Sequence, residues 1–197
     1  MNNLFPPELR TASVVHRWSI VRTLKPDNVA EHSYYVACYA VAIARLIEWQ
    51  GPLGDLTFFA LMHDAEELVT GDLVSPVKNQ IVDESLFERF VTDQMSERLP
   101  LIQHQMTPIA ESPAGLQIEK IVKVADKVDA VLFLITEIKL GNSSLGMLLK
   151  DAYENLKKAW LDLCVEIQVH PAGADELWLE VRQAIESHHK FGGIGIT

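Results

Sequence analysis

Apolar positions recur at three- and four-residue intervals along most of the chain, and no window sustains the alternation of a strand. Residues 31–49 are apolar almost all round, which predicts a central, enclosed helix. "GPLGD" (51–55) interrupts it, and Asp55 is placed to cap a second helix over 56–69. "TGDLVSPVKN" carries Gly71 and Pro76 and reads as a loop. Residues 83–99 form an amphipathic helix with Leu86, Phe87, Phe90, Val91 and Met95 on one side. "MTPIAESPAG" (106–115), with two prolines, reads as a connection. A long helix is predicted over 116–140 from Leu116, Ile118, Ile121, Val122, Ala125, Val128, Leu132 and Ile135, and "GNSS" ends it. Two more helices, 144–168 and 174–189, flank "HPAG". The tail 191–197 has no packing residues at regular spacing and is expected to be loose. The expected fold is all-α, a single orthogonal helical bundle over residues 1–190.

Composition narrows the function classes. A chain of 197 residues, 48% hydrophobic and 22% charged, suits one globular domain. Its formal net charge of -10 argues against nucleic acid as a partner, because phosphate backbones are bound by clustered Lys and Arg. A small phosphorylated ligand, which needs only a few local cations, remains open. Cys38 and Cys164 have no CxxC spacing and read as buried free thiols in a reducing compartment. "MNNLFPPELR" lacks a secretory pattern, and "YYVACYAVAIA" is too short to span a bilayer. The expectation is a cytoplasmic protein with no membrane partner.

Against this apolar background four ligand-type residues stand out: His32, the adjacent pair His63 and Asp64, and Asp126. A carboxylate among apolar neighbours must be paired or hold a metal, because an isolated buried charge is very costly. Two imidazoles with two carboxylates suit one divalent transition metal (Co, Mn, Zn, Fe or Ni), whereas Ca and Mg prefer all-oxygen sites. Adjacent residues on a regular helix point about 100° apart. His63 and Asp64 therefore reach one ion only where their helix bends or meets its neighbours. Taken singly, each has a plainer reading: His63 a hydrogen-bonded core histidine, His32 a helix-start residue, Asp126 a partner of Lys123 or Lys127. The ordered set H…HD…D is what points to a metal.

That set resembles the HD-domain metal-dependent phosphohydrolase superfamily. "RWSIVR" (17–22), "NVAEHS" (28–33), "MHDAEELVTGDLVSPVK" (62–78) and "VKVADKVDA" (122–130) further resemble the bacterial 5'-deoxynucleotidase family, in the family's order. The last third of the chain carries no matching motif. The resemblance implies a helical bundle, metal dependence, a homodimer and a nucleotide substrate.

Glu67, four residues after His63 and three after Asp64, falls on the same helix face and is the candidate for moving protons. Arg17 suits bidentate contact with phosphate oxygens and stands where the family places its phosphate-contacting arginine. Ser75, Lys78 and Glu111 are further substrate-side candidates. Trp18 and Asp72 are expected to flank the sugar, Asp72 bonding a 3'-hydroxyl and the two together crowding the 2' position. Asp129, one turn after Asp126, could support a metal ligand from behind, with a structural role the favoured reading, and Trp49, Trp160 and Trp178 read as core or interface packing. The expected activity is hydrolysis of deoxyribonucleoside 5'-monophosphates to deoxynucleoside and phosphate. A deoxynucleoside triphosphate hydrolase of the same fold is one alternative, and a non-catalytic nucleotide-binding protein is another.

Overall fold

A computed structural model describes residues 6–73 and 84–189. After a 3-10 helix, Pro7–Ser13, the described chain forms α1 (Val29–Leu46), α2 (Leu53–Met62) and the single turn α3 (Glu67–Thr70). Then come α4 (Glu84–Arg98), α5 (Pro100–Ala110), α6 (Gly115–Lys139), α7 (Gly146–Glu166) and α8 (Pro171–His189). No strand occurs among the described residues beyond one isolated bridge, His16 to Asn28. The fold is the expected all-α bundle.

The 25-residue α6 is its axis. Ile118, Ile121, Val122, Val124, Ala125, Val128, Val131, Leu134 and Ile135 are buried on it, against Val36, Ala40 and Ala44 of α1, Leu56 of α2 and Leu156, Trp160 and Leu163 of α7. A smaller cluster, Ala65, Val91, Met95, Leu99 and Ile102, joins α4 and α5 to the end of α2. Gly115 opens α6 where a Cβ would stand 2.0 Å from the Ala110 carbonyl oxygen, so no larger residue fits that turn. Trp160 is fully buried and donates its indole N–H to the Ala174 carbonyl at 3.2 Å. None of the described helices is long and apolar enough to cross a membrane.

Several boundaries and exposures depart from expectation, among them Leu86 and Phe90 of α4 and Leu116 of α6, which are exposed. The second helix begins at Leu53 with Pro52 at its N-cap, and Asp55 falls in its first turn, where a carboxylate still favours the helix dipole. The segment 106–110 is helical despite Pro108. That proline lies in the last turn on an exposed side, and His104, whose carbonyl loses a ladder bond to it, is itself exposed. The helix of His32 is not enclosed: Tyr34 is 61% exposed, Tyr35 40%, and Cys38 is exposed although Cys164 is buried. The small Ala37, Ala40 and Ala44 turn toward α6, which leaves the opposite stripe at the surface. A sequence apolar on every side does not say which side is covered. Ser75, Lys78 and the tail 191–197 lie outside the described residues.

Candidate metal centre

The central departure from a regular helix falls at the HD pair. The predicted helix 56–69 breaks at residues 63–66, between α2 and α3. There the backbone tightens. Ala65 N–H bonds Met62 O at 2.9 Å, Glu67 N–H bonds Asp64 O at 2.9 Å, and Leu68 N–H bonds Ala65 O at 3.2 Å, each three residues back. Such 3-10 winding sets consecutive side chains about 120° apart and eclipses residues three apart. His63 and Asp64 fan out from the bend, and Glu67 comes one tight turn after Asp64, only 3% exposed.

Two hydrogen bonds then orient the imidazoles. His63 Nδ1 lies 2.8 Å from the Ala60 carbonyl oxygen. A carbonyl only accepts, so Nδ1 carries a proton and Nε2 is the nitrogen that faces inward. His32, fully buried on the first turn of α1, sets Nδ1 2.7 Å from Asp129 Oδ2. A carboxylate behind the ring, with the other nitrogen facing inward, is the usual outer support of a metal-binding histidine. The two rings stand 5.2 Å apart. Both Nε2 atoms are buried without a hydrogen-bond partner among the described residues.

Carboxylates complete the cluster. Asp64 Oδ2 is 3.4 Å from both Nε2 atoms, and Asp126 Oδ1 is 3.5 Å from His32 Nε2. The other Asp126 oxygen is held by Lys127 Nζ at 2.7 Å, so the lysine pairing and the ligand role coexist on one side chain. Donor atoms of His32, His63 and Asp126 all lie within 4.8 Å of one another. Two inward imidazole nitrogens without hydrogen-bond partners among the described residues, faced by two carboxylates, fit a borderline divalent cation. His32, His63 and Asp126 are together able to hold a metal ion, with Asp64 beside them.

Arg17 closes one side. Its loop folds back on the start of α1, with Arg17 N–H bonding Asp27 O at 3.2 Å and Val29 N–H bonding Val15 O at 3.1 Å. The guanidinium then reaches Asp64 Oδ2 at 3.0 Å, Asp27 Oδ2 at 3.5 Å and Asp126 Oδ1 at 3.9 Å. Trp18 adopts a left-handed backbone, φ 60°, rarely tolerated by a bulky residue, and its ring stacks on Phe133 at 5.3 Å. It sits half-buried at the edge of the core.

The electrostatics reflect a crowd of carboxylates. Burial alone pushes the His32 imidazole down, yet Asp129 and Asp64 outweigh it and raise its pKa to about 9. Burial pushes Asp64 up, but the close approach of His32 and the charges of His63 and Arg17 hold it far below the usual carboxylate range. Asp126 is likewise lowered, against burial, chiefly by Lys127 and His32. The centre is built for positive charge.

The structure thus brings together His32, His63, Asp64, Asp126 and Arg17, with Glu67 buried beside the bend. Asp72 follows Gly71 and is half-buried. Glu111 is exposed at the C-cap of α5, and no hydrogen bond or ion pair of the His32 cluster reaches it. Two further residues join the centre, one through the less favoured of its two readings and one that was missed. Asp129 holds His32 from behind at 2.7 Å, the alternative to the favoured structural reading; its position three residues after Asp126 on α6 was the available signal. Asp27, next to the helix cap Asn28, gave none, because its partner Arg17 lies across a loop.

Known proteins resemble the chain over most of its length. The family model for YfbR-like 5'-deoxynucleotidases matches residues 5–169. The 5'-deoxynucleotidase YfbR of Photorhabdus temperata is 31% identical over 153 residues, 73% of this chain and 78% of that one. That of Salmonella paratyphi B is 31% identical over 153 residues, covering 73% and 77%. Among solved structures, the HD phosphohydrolase DatZ of cyanophage S-2L, bound to dA and one catalytic Zn2+ ion, shares the fold. Its TM-score is 0.67 at 22% identity, over 95% of this chain and 98% of that one. A conserved hypothetical protein of Pyrococcus furiosus superposes with a TM-score of 0.61 at 19% identity, over 93% and 96%. An HD-type bundle, an H…HD…D set converging on one point and a family match from residue 5 to residue 169 agree: the chain belongs to the YfbR-like 5'-deoxynucleotidase family.

Proposed function

We propose that the protein is a metal-dependent phosphomonoesterase that hydrolyses 2'-deoxyribonucleoside 5'-monophosphates to deoxynucleoside and phosphate. The observation that carries this reading is the pair of buried Nε2 atoms facing Asp64 and Asp126, with Glu67 buried one tight turn further on. His32, His63, Asp64 and Asp126 would hold one divalent transition metal, drawn from Co, Mn, Zn, Fe and Ni. When bound, such an ion supplies Lewis-acid polarisation of a phosphoryl oxygen and acidifies a water.

The chain's own residues supply the rest. Glu67 orients the attacking water and accepts its proton as the new P–O bond forms. The bond from phosphorus to the 5'-oxygen breaks, and the proton passes from Glu67 to that oxygen. Arg17 presents its two Nη atoms to the phosphate oxygens, where a planar fork binds two at once. Trp18 and Asp72 border the sugar and disfavour a 2'-hydroxyl. Ser75 and Lys78 extend the phosphate side, and Glu111 is the weakest member of the substrate set. The same reading takes residues 1–190 as one HD domain, a cytoplasmic location and, from the family resemblance, a homodimer of about twice 22.1 kDa in light scattering.

The test is product release from dAMP, AMP and dATP by chelated protein with single metals added back. Inorganic phosphate from dAMP, abolished by chelation and restored by a transition metal, supports the reading. Triphosphate from dATP in place of phosphate from dAMP overturns the monoesterase assignment, and equal kcat/KM on dAMP and AMP overturns the sugar assignment.

A further inference from the structure

One buried carboxylate near the centre has no part in the mechanism above. Asp27 is 8% exposed, and its Oδ2 makes no hydrogen bond among the described residues. The Nε of Arg17 is also buried without a hydrogen bond, and these two atoms face each other at 3.5 Å. Residue 27 also grips residue 17 through the main chain, where Arg17 N–H bonds the Asp27 carbonyl at 3.2 Å. A buried carboxylate needs hydrogen bonds or a charged partner, and Arg17 is the only ion-pair partner of Asp27 among the described residues.

A guanidinium offers two edges. Arg17 turns its Nε toward Asp27, while Nη1 and Nη2 point at Asp64 and Asp126, 3.0 and 3.9 Å away. An ion pair on the Nε edge limits rotation about the bond that would otherwise let the group swing. The two Nη atoms are then presented together to whatever oxygens occupy the centre. Among the described residues the ion pair of Asp27 is with Arg17, and Asp27 is not one of the His32, His63 and Asp126 donors.

We infer that Asp27 is a positioning residue that aligns the Arg17 guanidinium for bidentate capture of the substrate's phosphate. This rests on the phosphate role proposed for Arg17. A carboxylate that merely stabilised the loop would matter equally whatever stood at position 17. One that acts through Nε matters only while an arginine is there.

The experiment is a double-mutant cycle of Asp27→Asn with Arg17→Lys, since lysine keeps the charge but has no Nε–H. Inorganic phosphate binding to metal-loaded protein is read by calorimetry, KM and kcat on dAMP by phosphate release, and metal content by elemental analysis. Asp27→Asn is expected to weaken phosphate binding and raise KM about tenfold, with kcat and metal content little changed. In the Arg17→Lys background it should change neither by more than about twofold. Asp27→Glu should recover most of the affinity, and it replaces the asparagine variant if that one misfolds. The inference is overturned if Asp27→Asn leaves phosphate affinity at the wild-type value, or if its effect is the same with lysine at 17. An Arg17→Gln variant with wild-type phosphate affinity removes the role of Arg17 and this inference with it. The hydrolase assignment is judged separately, by product release from the unmutated protein.

Discussion

Removing the carboxylate behind His32 probes how the centre is held. Asp129 is not placed to bind the cation; it fixes the ring through a 2.7 Å contact to Nδ1, in surroundings where His32 is fully buried and Asp129 is 7% exposed. Losing such a partner typically costs about 10- to 100-fold in metal affinity, or about 1.4–2.8 kcal/mol. Asp129→Ala also leaves a buried imidazole N–H without an acceptor, a further cost of about 1–3 kcal/mol in stability. For a chain of this size that lowers Tm by roughly 2–12 °C. Asp129→Asn keeps a carbonyl acceptor for Nδ1–H and loses only the charge. Its affinity loss should lie near the tenfold end, with a smaller fall in Tm. The assay is a metal titration against a chromophoric chelator at fixed pH and salt, beside thermal melts of the metal-free proteins. A folded Asp129→Ala variant that binds metal within twofold of wild type would refute the role given to this carboxylate.

Three further outcomes are expected. Glu67→Gln should retain metal and fold while kcat on dAMP falls by about 100-fold or more, as loss of a proton-transferring group does; unimpaired phosphate release would dismiss its role. Glu137, fully buried, accepts hydrogen bonds from the backbone N–H groups of Leu24 and Lys25 at 2.6 and 2.7 Å and from the Asn142 amide at 3.0 Å. Burial pushes its carboxyl up, but these donors hold it below its ordinary 4.5, so its stabilisation is present above that value and lost as pH falls through the lowered one. Glu137→Gln should cost about 2–4 kcal/mol at neutral pH and lose less stability than wild type between pH 5 and pH 3, checked by urea melts; parallel pH profiles would speak against it. Finally, Glu48 (φ 52°) and Gln168 (φ 58°) occupy left-handed caps whose next residues, Trp49 and Val169, bond the Ala44 and Cys164 carbonyls. Glycine at either should raise stability by a few tenths to about 1 kcal/mol in thermal melts, and a lowered Tm would count against strain there.

How much of this was legible beforehand follows from the range of the forces involved. Helix content and most boundaries depend on spacing within a turn or two, and the helix predicted over 116–140 is found over Gly115–Lys139. The donor types were legible too, because histidine and aspartate amid apolar residues violate the ordinary rule of burial. The Asp55 cap and the 106–115 connection failed because local capping and proline signals were outweighed by packing of α2 and α5 in the bundle.

By itself, the sequence determined an all-helical chain and a short set of metal-binding residue types in a fixed order. Tertiary structure decided which imidazole nitrogen faces inward, which stripe of α1 meets solvent, and where Arg17 points. Those depend on partners such as Asp129 for His32 and Asp64 for Arg17, 97 and 47 positions away along the chain. No local periodicity encodes such distances; they are set when buried side chains must all find room and every enclosed polar group must find a partner.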